Sequence, residues 1–179
     1  MDIENMTEKT ISFTKINLAS IPFSILTVGI IFSLFLFNIE NPKEEIYKLN
    51  LFICLFVFTI LIVIHELIHA FFFGIYAQGG FKTIKFGINW KAMAPYCHCN
   101  EPIKVKNYRI AILMPTVFLG FIPLIIGFIV GEINIVAVST FMIIGGIGDF
   151  IALWMLKDFK KDTIVLDHPN KMGFFYKEQ

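Results

Sequence analysis

The sequence predicts an all-α membrane protein of about four transmembrane helices, and three observations predict it. The chain of 179 residues is 56% hydrophobic, with 21 phenylalanines and only 16% charged side chains, which is too apolar for a water-soluble domain of this length. Four apolar runs each reach the roughly 20 residues that a helix rising about 1.5 Å per residue needs to cross a hydrocarbon core of about 30 Å. Lys and Arg are also divided unevenly among the connections that these runs define.

Residues 1–16 open on "MDIENMTEKT", which has no basic region leading into a short apolar one. A retained polar flank is expected there rather than a cleaved signal. The predicted helices run over about 17–37, 51–76, 110–130 and 133–156. If all four cross, the N-terminus, the 77–109 connection and the C-terminal tail share one side. That side carries 13 of the 15 Lys and Arg residues, and the other carries only Lys43 and Lys48. The positive-inside rule then makes this a multi-pass protein of the cell membrane with both termini in the cytoplasm. The lipid bilayer is the partner such a composition demands. A net charge of +1 says little else about partners, and the sequence carries no nucleic-acid signature. No repeat or linker divides the chain, so 1–179 reads as a single domain.

The second helix carries the chemistry, in "LIVIHELIHAFFFG". His65 and His69 are four residues apart, about 40° around the helix axis, and Glu66 lies about 60° beyond His69, so all three point to one side. This is the H-E-x-x-H arrangement, in which two imidazoles ligate zinc and the glutamate is general base on a metal-activated water. Helix-packing hydrogen bonds are the rival explanation. Ionisable groups at mid-membrane cost about 2.5 to 3.5 kcal/mol or more, which favours a functional role. Catalytic zinc generally takes three protein ligands. Asp149 is the only charged residue of the fourth run, follows the small residues of "GGIG", and falls in the same cytoplasmic half of the membrane as His65 and His69. It is the expected third ligand. His98, Asp158 and His168 are the alternatives, each needing the loop or tail to fold back. Two histidines and a carboxylate also suit iron.

In the 77–109 connection, Ile84, Phe86, Ile88 and Trp90 alternate at strand period. With a turn near Asn89 this predicts a short β-hairpin at the cytoplasmic surface, whose edge would accept an unwound substrate segment as an added strand. An amphipathic surface loop is the alternative. Cys97 and Cys99 stand too close together for a structural zinc site, and with Cys54 they are expected to stay reduced. His98 between them is available to contact substrate or a developing oxyanion. Pro115 and Pro123 mark kinks or ordinary packing in the third helix. Phe71 to Phe73 read as lipid contacts, and "DHP" at 167–169 carries no assignable chemistry.

H-E-x-x-H in one transmembrane helix, with an aspartate two helices later, resembles the site-2 protease type of intramembrane metalloprotease. More closely, the chain is similar to the small bacterial family of membrane proteins described as "putative zincin peptidases", through "HELIHAFFFG", "YCHCNEPIKVKNYRIAILMPTVFLG", "GGIGDF" and "DHPNKMGF". The resemblance implies zinc on His65, His69 and Asp149 and a catalytic Glu66. Asp149 is followed by Phe150, where site-2 proteases carry Asp-Gly, and no PDZ-like segment is present.

The function expected is therefore an intramembrane zinc metallopeptidase acting on membrane-protein or peptide substrates. Its rival from another class is a non-catalytic metal-binding membrane protein or pseudoprotease that holds transmembrane partners. A metal transporter fits less well, because the outer halves of the second and fourth helices are almost uniformly apolar.

Overall fold

A computed structural model describes residues 6–90, 94–169 and 171–177. Strand β1 (Thr7–Ile11) leads into helix α1 (Phe13–Phe37). This helix starts ahead of the apolar run at 17, because the Ser12 hydroxyl caps it by accepting from the Lys15 N–H. A short helix α2 (Pro42–Lys48), with proline and two glutamates in its first turn, precedes α3. Helix α3 (Leu51–Tyr76) keeps the predicted bounds. Asn50 Oδ1 caps it by accepting from the Ile53 N–H at 3.1 Å, and Gly80, at φ 62°, turns the chain just beyond its end.

The third span begins at Val105, ahead of the apolar run at 110. It comprises α4 (Val105–Thr116), a π-helical turn over Val117–Phe121, and α5 (Ile122–Val130). The early start has a clear cause. The N–H groups of Val105 and Lys106, which have no partner within the helix, donate to Thr163 O and Lys161 O at 2.9 and 3.0 Å. Pro115 precedes the π turn and Pro123 opens α5, so the prolines bracket a distortion rather than a break. The fourth run, predicted as one helix over 133–156, is two: α6 (Ile133–Gly145) and α7 (Ile147–Met155), bent by 42°. Among the described residues three helices are therefore long and apolar enough to cross a membrane, and the bent pair passes the same test together, as a broken span or a re-entrant loop.

The predicted hairpin is present as β2 (Ile84–Asn89) against β3 (Ala94–Cys99), antiparallel, with Ile84 opposite Cys99 and Lys85 opposite His98. Residues 91–93 of its connection lie outside the described residues. A second, four-stranded antiparallel sheet was not expected. It joins β1, β6 (Met172–Tyr176), β5 (Ile164–Asp167) and β4 (Ile103–Lys104) in that order. The supposed polar flank thus supplies an edge strand paired with the tail.

The main core lies where helices meet this sheet, around Phe73, Val105, Tyr108, Leu156, Val165 and Phe174. Burying one large apolar side chain there contributes about 1.5–3 kcal/mol over leaving it in water. Elsewhere the apolar surface faces outward, with Phe37 and Phe52 both 88% exposed, as a lipid-facing surface would be. Among the three consecutive phenylalanines only Phe71 is exposed. Phe73 is buried against His69 and Tyr108, which corrects its reading as a lipid contact.

Candidate metal centre

Helix α3 packs against α4 and α6, and α7 packs against α4. That arrangement brings His65 and His69 on α3 to Asp149 in the first turn of α7. His65 Nε2 is 3.2 Å from Asp149 Oδ2, His69 Nε2 is 3.4 Å from Asp149 Oδ1, and the two Nε2 atoms are 3.1 Å apart. One potential ligand atom from each residue lies within 4.8 Å of the others, and among the described residues this is the group with that property.

Two observations bear on whether the group fits a cation. His69 Nδ1 is 2.9 Å from the Ala111 carbonyl on α4. A carbonyl can only accept, so Nδ1 carries the proton and the Nε2 lone pair is turned toward His65 and Asp149. Asp149 Oδ2 is buried and has no well-aligned hydrogen-bond donor, its near polar neighbour being His65 Nε2 at 3.2 Å. An unsatisfied buried carboxylate oxygen beside converging imidazole lone pairs is costly, and a divalent cation among them removes that cost. Two histidines and one aspartate form a ligand set of the kind found at catalytic zinc.

Glu66 is adjacent but outside this group. It faces a cavity of about 450 Å³ that His65, His69 and Asp149 also line, and Cys97 on β3 lines the same cavity. The hairpin therefore sets one strand beside the motif. The other candidates for third ligand do not converge with His65 and His69. Asp158 belongs to a separate surface depression with Lys9 and Lys160. His168 lies with its Nε2 3.5 Å from Glu8 on β1.

His98 forms a second polar group that the sequence did not reveal. Its Nδ1 is 2.9 Å from Asp167 Oδ2, and the Tyr108 hydroxyl donates to Asp167 Oδ1 at 2.8 Å. Asp167 is thus the functional-looking residue of "DHP", a stretch with no spacing signal of its own. Cys97 and Cys99 do not join the converging ligand atoms. Burial pushes both thiols up, reinforced at Cys97 by the charges of Glu66 and Asp167, so they remain neutral. All three cysteines are free.

The DUF3267 family model, described as "Putative zincin peptidase", matches residues 58–164. The chain belongs to that family. The matched stretch runs from the middle of α3 to the first residue of β5 and includes His65, Glu66, His69 and Asp149, so this zincin-family chain carries its converging residues within the shared region. Asp167, β1 and β6 lie outside it. Comparisons with curated proteins and with solved structures give no match.

Proposed function

We propose that this protein is an intramembrane zinc metallopeptidase that hydrolyses peptide bonds of membrane-associated substrates. The observation that carries the reading is the convergence of His65, His69 and Asp149 from helices far apart in sequence, with Glu66 beside them. In this reading those three side chains hold zinc, which when bound supplies Lewis acidity toward a peptide carbonyl. The Glu66 carboxylate accepts a proton from the attacking water and delivers it to the departing amine nitrogen as the C–N bond breaks. The Ala111 carbonyl fixes the His69 ring, so the imidazole does not reorient during turnover. A substrate segment enters extended along β3, because helical peptide bonds are shielded and β3 runs past Glu66. The distribution of Lys and Arg supports both termini in the cytoplasm, with the cavity reached by water from that side.

The test is metal content per chain in detergent-purified, folded protein, followed by cleavage of a co-expressed single-span protein. Wild type should hold about one zinc, as expected of a single three-ligand site. His65→Ala and Asp149→Ala should lose it. Glu66→Gln should keep the metal and lose about 10² to 10⁴ in cleavage rate. Folded wild type without metal would overturn the reading, and an active Glu66→Gln protein would remove Glu66 as the base.

A further inference from the structure

We propose that His98 is a second catalytic group: a hydrogen-bond donor, held by Asp167 and Tyr108, to the substrate carbonyl oxygen as that oxygen gains negative charge. The proposal rests on the metallopeptidase reading and adds a residue to it. Hydrolysis needs two services from the protein besides the metal. Glu66 moves the proton, and a donor must face the oxygen that becomes an oxyanion.

The geometry points to His98 for the second service. It follows Cys97 on β3, and both residues line the cavity that Glu66 lines. Only 6% of His98 is exposed. Asp167 Oδ2 accepts from His98 Nδ1 at 2.9 Å, which leaves Nε2 as the other ring nitrogen, and in the proposed role the ring donates from Nε2 as an imidazolium paired with the Asp167 carboxylate. Asp167 is itself held by the Tyr108 hydroxyl, and Tyr108 packs on Phe73, which stacks on His69. One packed chain of side chains thus ties the donor to the converging histidines.

The other basic groups that line the cavity are occupied. Lys171 Nζ is 2.7 Å from Glu8 Oε1, and the Lys171 backbone N–H donates to His168 Nδ1 at 2.9 Å, while His168 Nε2 faces Glu8. A purely structural role explains the burial less well. A buried polar pair does no better than apolar packing at holding a sheet to a helix, and burying polar groups carries a desolvation cost that their hydrogen bonds must offset.

The test titrates the full-length, zinc-loaded protein with two peptide probes of the same sequence. One is a phosphinic peptide, tetrahedral and anionic where the scissile bond would be. The other is a hydroxamate, which binds zinc but is planar there. His98→Ala should weaken the phosphinic peptide by about 10²-fold, the loss typical of one oxyanion donor. The hydroxamate affinity and zinc content should be unchanged. Asp167→Asn, which preserves shape, and Tyr108→Phe should weaken the phosphinic peptide selectively by smaller factors, and they test the same link if His98→Ala does not fold. Equal losses for both probes, or no loss with zinc retained, would overturn the role of His98. Zinc-loaded wild type that binds the hydroxamate and not the phosphinic peptide would overturn it too, leaving the metal site intact. Wild type without zinc would bring down the metallopeptidase reading itself, and this proposal with it.

Discussion

On the metallopeptidase reading, replacing Gly146 by alanine should damage the candidate metal centre more than the fold. Gly146 sits at the break between α6 and α7 at φ −75° and ψ 10°, a conformation alanine adopts freely, so backbone strain contributes nothing. Space is what is lacking. A Cβ there would overlap Thr116 Oγ1 and stand 3.6 Å from Asp149 Oδ2. Thr116 is fully buried, so relief requires a relative movement of about 1 Å to restore contact near 3.5 Å. Overpacking of this kind costs about 1–3 kcal/mol. Helix α7 is only nine residues long and follows the bend, so it yields before the long α4–α5 span and takes Asp149 with it. If the cost appears as lost metal binding, 1.4 kcal/mol per factor of ten makes zinc about 5- to 140-fold weaker. The neighbouring Gly145→Ala is the control, because its Cβ would meet the Phe58 ring at 3.9 Å, an ordinary contact. Competition against a chromophoric zinc chelator, with thermal unfolding of the metal-free proteins alongside, reads both quantities. Wild-type affinity and stability in Gly146→Ala, or equal weakening by Gly145→Ala, would refute the idea that the tight break at Gly146 places Asp149.

Other outcomes follow from the same coordinates. Gly173, at φ 141°, leaves no room for a side chain: a Cβ would overlap the Lys9 carbonyl and lie 2.7 Å from Thr10 Cα. Gly173→Ala should therefore destabilise the β1–β6 pairing by about 2 kcal/mol or more, and an unchanged melting temperature would contradict the register. Burial pushes the His168 ring below its usual value of 6.5, and the Lys171 N–H occupies its Nδ1 lone pair. The unfolded chain then binds more protons than the folded chain near and below that pH. The His168 contribution is present above about pH 6.5 and is lost as the pH falls. Thermal stability should drop more steeply on acidification in wild type than in His168→Asn, and parallel curves would count against the buried, neutral ring.

The motif and its helix were readable because their geometry is local. Four residues make about one helical turn, so His65 and His69 share a face wherever the helix sits. The polar residue capping α3 and the glycines beyond it mark both ends, and the bounds at 51 and 76 match the structure. Asp149 was nominated as the lone charge of an apolar run, a signal that identifies an exceptional residue without locating it. The four-stranded sheet had no comparable signal. Its strands have two to five residues, too few for an alternating pattern to stand out, and they come from segments near the start, the middle and the end of the chain.

By itself, then, the sequence determined the membrane-spanning runs, the hairpin and the pairing of two histidines with a glutamate, since each depends on hydropathy or periodicity over neighbouring residues. Only the tertiary structure decided how the bend at Gly146 brings Asp149 within 3.4 Å of both rings, and that His98 meets Asp167 across 69 residues. Those distances are set by helix crossings and strand register, and no stretch of neighbouring residues carries them.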